Sequence, residues 1–319
     1  MSETTLNRFP SVRLMPAAFG VRIHLSVIEQ ITLAFFAYIT VAGLVFHVAA
    51  PDICLIATLS ALTLATLIAL RRNRQRARWL AAAADLFPAL LILVAYRESG
   101  LLLTPDPTHH LDFMFIQCDR VLLQNHFIQA VLQAGTPGLQ HYLELAYLLC
   151  YPLVPLGVAA VYYASRHDAA QSNVAPPSWR HLPAGRQRCS RSMDDFWTTV
   201  LLATLFCYAV YPFFPLTPPR VLFGDVPGPH VEPLLRKLNF WLLDHYSVQA
   251  CIFPSGHVAA VTAVALAVRK NAPRLGLLFV FLAVSVALAT VYGRYHYAPD
   301  ALAGALVGVA AYKVSGLCS

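Results

Sequence analysis

Long apolar stretches separated by short polar segments set the pattern of this chain. A helix needs about 20 mostly apolar residues to cross a lipid bilayer. Stretches of this kind occur at 26–49, 51–70, 79–96, 140–164, 195–214, 256–269, 275–292 and 299–315. Pro51 is the only break between the first two, and the sixth and eighth are short. The pattern predicts an all-α, polytopic transmembrane bundle of about eight spans.

The composition supports a membrane protein. Hydrophobic residues make up 58% of the chain and charged residues 12%, whereas about 25% of the residues in soluble domains are charged. The net charge of +7 could by itself suggest nucleic-acid binding. The basic residues, however, lie between the apolar stretches, where they set the topology of the protein in the membrane. We therefore expect the membrane, and no nucleic acid, as the partner.

Basic residues cluster in alternate connecting segments. These segments are 1–25, 71–78, 165–194 and 269–274. Because Lys and Arg mark the cytoplasmic side, both termini are predicted to be cytoplasmic, and the segments between the basic ones are extracytoplasmic. Short loops and the lack of a removable signal peptide favour a bacterial inner membrane with a periplasmic site. A Golgi-type lumenal face is topologically equivalent.

These patterns divide the chain into four parts. A cytoplasmic segment, 1–25, is followed by N-terminal transmembrane helices at 26–96, an extracytoplasmic loop at 97–139 and a catalytic membrane core at 140–319. Within the loop, 111–134 alternates apolar and polar residues with a roughly helical period. It predicts an amphipathic helix in the interface. This helix either helps to form a lipid entrance or only caps the bundle.

Two short motifs place ionisable residues at helix ends on the predicted extracytoplasmic face. In the first, Ser255 is a candidate N-cap, Gly256 allows close backbone approach, and His257 follows. A helix N-terminus of this kind is a good seat for a phosphate. In the second, His296 precedes a helix and Asp300 lies one turn later, where its carboxylate can orient the imidazole ring.

Two arginines accompany these motifs. Arg220 ends the run Pro-Leu-Thr-Pro-Pro-Arg, and Arg294 lies two residues before His296. Guanidinium groups can hold phosphoryl oxygens through paired hydrogen bonds. The helix after His296 offers a second anion seat. These residues predict phosphoryl transfer in which His296 attacks phosphorus, Asp300 fixes its tautomer, and His257 protonates the leaving alkoxide.

The motifs resemble a known family. Pro-Ser-Gly-His followed by His-x-x-x-Asp-x-Leu-Ala-Gly is similar to the type 2 phosphatidic acid phosphatase (PAP2) superfamily over about 195–315. The Phe-Pro-Leu-Thr-Pro-Pro-Arg element resembles its inositol phosphorylceramide synthase (Aur1-type) branch, as does, more weakly, the Asp112…Asp119 segment. The resemblance implies a six-helix core and metal-independent transfer through a phosphohistidine. It makes His296 the nucleophile and His257 the acid and base.

The sequence departs from the superfamily at two points. The usual Ser-Arg pair before the nucleophile is replaced by Ala289 and Thr290, and the Lys-x6-Arg-Pro motif is absent. The Aur1-like branch relaxes both. The phosphate-binding role therefore falls to Arg220 and Arg294, together with the helix start at Ser255 and Gly256.

The favoured function is a cofactor-free integral-membrane lipid phosphatase or phosphotransferase. An inositol phosphorylceramide synthase-like transferase, which moves a phospho-headgroup to a lipid alcohol, is the alternative. A proton-coupled transporter would instead rely on carboxylates within the spans, which are Glu29, Asp85 and Glu144. A metal hydrolase would use the cluster at Asp106, His109, His110 and Asp112. The lipid substrate and the oligomeric state are not predicted by any pattern.

Overall fold

The computed structural model describes residues 25–103, 110–124, 136–171, 184–224, 234–248 and 250–318. Within these ranges the chain forms helices joined by short connections and one small ribbon. The helices are α1 (Val27–Val45), α2 (Ala50–Asn73), α3 (Arg78–Gly100), α4 (His110–Leu123), α5 (Pro137–Leu148), α6 (Cys150–Gln171), α7 (Ala184–Val210), α8 (Pro219–Leu222), α9 (Leu234–Tyr246), α10 (Gly256–Asn271), α11 (Pro273–Tyr292) and α12 (Ala298–Cys318). The all-α class predicted from the apolar stretches is confirmed.

Six described helices are long and apolar enough to cross a membrane. They are α1, α2, α3, α7 extended to Phe213, α11 and α12. Helices α5 and α6 meet at a bend of 61° and are long and apolar enough only as a pair, which corresponds to a broken span or a re-entrant loop. Helix α10 coincides with the predicted stretch 256–269 but has only 16 residues, fewer than the about 20 of a typical span. The polytopic class is therefore confirmed, and the count of about eight spans stays a prediction.

The break at Pro51 separates two distinct helices. Pro51 lies in the first turn of α2, where its missing N–H costs no helical hydrogen bond. Helix α4 covers the first part of the predicted amphipathic segment 111–134. Residues 125–135 lie outside the described part of the chain.

Helix α10 lies among four other helices and contacts α6, α7, α11 and α12. Its side chains at Val258, Val261 and Val264 are buried on several sides. Helix α12 packs unusually close to it, because a Cβ at Gly304 would lie 2.5 Å from the Ser255 carbonyl oxygen. Small residues allow such close approach between membrane helices. The packing brings the N-terminal ends of α10 and α12 together.

Candidate active site

A two-stranded ribbon joins the segments that carry the predicted motifs. Strand β1 (Pro215–Leu216) pairs antiparallel with β2 (Cys251–Ile252). The first strand leads into Arg220 and the second into Ser255. The N–H of Arg220 donates to the carbonyl of Arg294 at 2.9 Å. Backbone hydrogen bonds thus bring together three segments that lie far apart in the sequence.

Ser255 caps helix α10, as the sequence predicts. Its hydroxyl accepts the N–H of Val258 at 3.4 Å, and its own N–H donates to the Asp300 carbonyl at 3.1 Å. A Cβ at Gly256 would lie 2.5 Å from the Tyr211 hydroxyl oxygen, so any larger residue here would displace the Tyr211 side chain. In the described part of the chain, the N–H groups of Gly256 and His257 meet no protein acceptor. These two donors are therefore available to an anion.

The two histidines face each other, and Asp300 lies behind the second. His296 Nδ1 is 3.4 Å from Asp300 Oδ2, and its Nε2 is 3.5 Å from His257 Nδ1. His296 is 7% exposed and Asp300 is fully buried. The Asp300 carboxylate beside Nδ1 favours the His296 tautomer that is protonated at Nδ1. The Nε2 lone pair of His296 then points towards His257, as a nucleophile flanked by an acid requires.

Two carboxylates, Asp300 of α12 itself and Asp119 of α4, lie at the N-terminus of helix α12. The N–H of Tyr297 donates to Asp300 Oδ2 at 3.2 Å, and the N–H of Ala298 donates to Asp119 Oδ1 at 2.7 Å. The next residue, Pro299, has no N–H. The expectation that this helix end forms a second anion seat is therefore wrong, because two carboxylates already occupy its donors.

Tyrosine rings surround His257. The rings of Tyr147 and Tyr151 have centroids 5.7 Å and 5.9 Å from that of His257, and Tyr147 stacks on Tyr295 at 3.8 Å. The 61° bend between α5 and α6 lies between the first two tyrosines. The two tyrosines that approach His257 therefore lie on either side of the break between α5 and α6.

A buried polar network lies behind Tyr295. Glu144 accepts hydrogen bonds from Arg236 at 2.8 Å, from Asn239 at 2.8 Å and from the Tyr295 hydroxyl at 2.5 Å. Burial and then the Glu144 carboxylate raise the pKa of Tyr295 above its ordinary value. The phenol therefore stays protonated and donates to the carboxylate. This network fixes the residue that immediately precedes His296.

A cavity of about 580 Å³ opens beside the histidines. Arg220, Gly256, His257 and His296 all contribute to its lining. Apolar side chains from α3, α6 and α9 complete the wall, among them Leu90, Leu93, Val154, Leu242 and Leu243. Polar reacting groups in an otherwise apolar cavity suit a substrate with a charged head and a hydrocarbon tail.

The two predicted arginines differ in position. Arg220 is half-buried, lines the cavity and, within the described chain, forms no ion pair. Arg294 does not line the described cavity. It adopts a left-handed backbone conformation, with φ of 60°. Partial burial and then the charge of Arg236 lower the pKa of Arg294 from its ordinary value. The geometry therefore favours Arg220 as the group that meets phosphate, and a phosphate-binding role of Arg294 stays a prediction.

Sequence reasoning missed several residues around the site. No motif indicates Tyr147, Tyr151 or Arg236, Asp119 is indicated only as the end of the Asp112…Asp119 segment, and Glu144 only as a residue that a transporter would use. The spacing of the two tyrosines, four residues apart before His257 in the chain, was the available signal. Asp119 had a comparable signal, because it lies seven residues after Asp112 on the same side of a helix.

The cluster that the metal-hydrolase alternative would use lies largely outside the described residues. Asp106 and His109 lie outside the described residues, as does the side chain of His110. Among the described side chains, no group of three or more potential ligands is close enough to hold a metal ion. Asp112 has another role, since its carboxylate accepts the N–H of Thr217 at 2.7 Å.

Comparison with known proteins agrees with this geometry. Residues 186–314 match the family model of the PAP2 superfamily. The matched segment contains both histidines, Asp300 and Arg220, and it leaves out α1 to α6. No curated protein and no solved structure matches the chain.

The structure is that of a helical membrane protein, and its residues 186–314 match the PAP2 superfamily model. A match to this superfamily suggests a phosphatase-type enzyme of lipid phosphates. The match does not distinguish the Aur1-like branch, which stays a prediction, as do the predicted domain boundaries.

Proposed function

We propose that this protein transfers the phosphoryl group of a lipid phosphate ester through a phosphohistidine at His296. The observation that carries the proposal is the line of three side chains Asp300, His296 and His257, which ends at an apolar cavity containing Arg220. An orienting carboxylate, a nucleophile and a proton donor occur there in the order that the reaction needs.

In the first half-reaction, Nε2 of neutral His296 attacks phosphorus. A nitrogen–phosphorus bond forms and the ester oxygen–phosphorus bond breaks. His257, in its protonated form, gives its proton to the leaving alkoxide, which departs as the lipid alcohol. Asp300 stabilises the positive charge that develops on the His296 ring.

In the second half-reaction, water attacks the phosphohistidine. His257 is now neutral and removes a proton from the water. The nitrogen–phosphorus bond breaks, and phosphate and free His296 are released. Through both steps, Arg220 and the N–H groups of Gly256 and His257 are placed to stabilise charge on the phosphoryl oxygens.

The substrate must separate the two imidazole rings. Their facing nitrogens are 3.5 Å apart, which leaves no room for a phosphoryl group between them. His257 lies against Tyr147 and Tyr151 at centroid distances above 5 Å, so its ring can turn without breaking a tight stack. A small rotation of His257 on substrate binding is therefore part of the proposed mechanism.

Transfer to a lipid alcohol, as in an inositol phosphorylceramide synthase-like enzyme, uses the same intermediate. It requires room for an acceptor beside the phosphohistidine. The size of the cavity, about 580 Å³, and its apolar wall from α3, α6 and α9 support this second candidate. We place hydrolysis first, since it requires no second bound lipid.

The carboxylates that a transporter would need have structural partners. Glu29 forms the capping box at the start of α1. Asp85 pairs with Arg74 at 2.7 Å, and Glu144 pairs with Arg236 at 2.8 Å. Intramembrane carboxylates in a proton relay are expected to line a pathway, whereas these three stabilise helix ends and helix contacts. This observation favours the enzyme.

The proposed location is a bacterial inner membrane, with the site on the periplasmic side. Support comes from the charges of the connecting segments, which are basic on the opposite side. The two histidines and Arg220 lie at segments on the predicted extracytoplasmic face. Labelling of single cysteines introduced at 73 and 224 with a membrane-impermeant reagent in intact cells tests this orientation.

The test of function measures phosphate release by purified protein in mixed micelles that contain EDTA. The panel is phosphatidic acid, phosphatidylglycerol phosphate, an isoprenyl pyrophosphate and phosphatidylinositol, each with and without diacylglycerol or ceramide. We expect release or transfer that His296→Ala and His257→Ala abolish. Activity that survives His296→Ala contradicts the phosphohistidine. A new phospholipid without free phosphate would instead establish the transferase.

A further inference from the structure

Helix α4 lies outside the segment that matches the PAP2 superfamily, yet one of its sides packs directly on the site. Asp112, Phe115 and Asp119 are three and four residues apart, so they share that side. Asp112 is 3% and Phe115 4% exposed. The opposite side is apolar and exposed at Phe113 and Val121. Helix α4 thus contacts the catalytic segments with one side and presents an apolar surface with the other.

Asp112 holds the segment that leads to Arg220. Its Oδ1 accepts the N–H of Thr217 at 2.7 Å. The carbonyl of Thr217 in turn accepts the hydroxyl of Tyr297 at 3.1 Å. Since Thr217 is three residues before Arg220 and Tyr297 directly follows His296, this short chain of hydrogen bonds connects α4 with both segments.

Asp119 holds the segment between the nucleophile and its orienting carboxylate. Its Oδ1 accepts the N–H of Ala298 at 2.7 Å. Ala298 lies two residues after His296 and two before Asp300. Burial raises the pKa of Asp119 to about 6, opposed by the Ala298 hydrogen bond and reinforced by the nearby charge of Asp300. Neighbouring carboxylates of this kind repel each other. The hydrogen bond from the Ala298 N–H offsets part of this repulsion.

Phe115 fills the space between the two aspartates. Its ring lies 5.1 Å from that of Phe253 and 5.7 Å from that of Tyr297, centroid to centroid. Together with Leu216 it forms a small apolar cluster separate from the main core. Through the contact with Phe253, α4 also packs against the residues just before Ser255.

We propose that α4 is a clamp in which Asp112 and Asp119 act as positioning residues for the phosphoryl-transfer site. The proposal rests on the function proposed above. Through two backbone N–H groups, the carboxylates fix Arg220 relative to His296 and hold His296 at its distance from Asp300. Neither aspartate touches the reacting atoms. Displacement of a reacting group by about 1 Å can cost about 10²-fold in rate, so loss of the clamp is expected to lower kcat more than it changes KM.

The clamp also explains why two carboxylates occupy the start of α12. Asp300 alone would cap the N–H of Tyr297, and the N–H of Ala298 would remain free to bind the substrate phosphate. Asp119 removes that competing anion site. The phosphate is then directed to the other helix, where the N–H groups of Gly256 and His257 have no acceptor in the described part of the chain.

The test compares Asp119→Ala with Asp119→Asn, and Asp112→Ala with Asp112→Asn, in full-length protein. The amide oxygen of asparagine can accept the same backbone N–H, whereas alanine cannot. We expect each alanine variant to lower kcat about 10- to 100-fold with less than a threefold change in KM, and each asparagine variant to recover most of the loss. Cys118→Ser, an exposed position on the same helix, is the matched control and should leave both constants unchanged.

Single-turnover formation of the acid-labile phosphoenzyme at saturating substrate separates positioning from folding. All rates are referred to the folded, monodisperse fraction of each preparation. The clamp is contradicted if the alanine variants form the intermediate at the wild-type rate, or if asparagine is as slow as alanine. The two proposals fail separately. If His296→Ala retains activity, the phosphohistidine is wrong; if it abolishes activity while Asp112→Ala and Asp119→Ala do not lower it, only the clamp is wrong.

Discussion

Asp300→Asn is the sharpest test of the proposed chemistry, because it changes charge with little change in shape. The amide oxygen can still accept the N–H of Tyr297, now 3.2 Å from Oδ2, so the start of α12 should remain capped. What disappears is the negative charge 3.4 Å from His296 Nδ1. That charge favours the reactive tautomer and stabilises the cation formed when His296 attacks phosphorus.

The size of the effect follows from this distance. Two unit charges about 3.4 Å apart interact by about 5 kcal/mol at an effective dielectric constant of about 20. Each 1.36 kcal/mol corresponds to about a tenfold change in rate, so the full interaction amounts to between about 10³- and 10⁴-fold. The amide dipole of asparagine still provides a part of this stabilisation. We therefore expect kcat to fall about 10³-fold.

The assay has two parts. Steady-state phosphate release in mixed micelles gives kcat and KM, and rapid quench at saturating substrate gives the rate of phosphoenzyme formation. Both rates should fall together, with KM little changed, since the lost interaction acts in the transition state. Thermal unfolding in the same detergent is the control and should shift little. A decrease of less than tenfold, with the phosphoenzyme formed at the wild-type rate, would refute the assignment of Asp300 as orienting residue.

Three further predictions concern packing, the buried network and pH. Gly304→Ala places a Cβ 2.5 Å from the Ser255 carbonyl oxygen, whereas Gly316→Ala meets nothing within 4 Å; thermal unfolding should show a loss of about 1–3 kcal/mol for the first and almost none for the second. Glu144→Ala leaves Arg236 buried without its partner and should cost about 3–5 kcal/mol, with activity per folded molecule reduced but not abolished. Complete loss of function in well-folded Glu144→Ala would speak for a transporter. The pKa of Asp119 rises from its ordinary 3.8 to about 6 on folding, so the folded state binds this proton more tightly and stability falls as pH rises through this window. Asparagine does not titrate, so the melting temperature of Asp119→Asn relative to wild type should increase from pH 5 to pH 7, and an unchanged difference would contradict the assignment.

The sequence predicted the helices better than their connections. Apolar stretches of sufficient length identified the membrane helices, because the bilayer imposes a minimum length and leaves few alternatives to a helix. The same rule gave no information about α9, an amphipathic helix in a segment expected to be loop. It also could not reveal the bend after Leu148, since both halves are apolar and the break depends on tertiary packing.

The site was predictable where chemistry depends on local spacing. His296 and Asp300 are one helical turn apart, and Ser255 caps the helix that His257 begins, so both arrangements could be inferred from adjacent residues. Contacts between segments that are far apart in the sequence could not be inferred in this way. Glu144 and Tyr295 are 151 residues apart, and Asp119 and Ala298 are 179 apart; no local pattern connects either pair. The expected anion seat at α12 was wrong for this reason, because its occupant comes from another part of the chain.

The proposed reacting residues and much of the cavity wall come from different parts of this protein. His257, His296, Asp300 and Arg220 all lie within 186–314, the segment that matches the PAP2 superfamily model. Much of the cavity wall lies outside that segment. Leu90, Leu93 and Tyr96 belong to α3, and Tyr151 and Val154 belong to α6. If the proposed function holds, a lipid in this cavity contacts α3 and α6 as well as the histidines. Substitutions in α3 and α6 are then expected to change which lipid is bound, and the balance between hydrolysis and transfer, without abolishing formation of the proposed phosphohistidine.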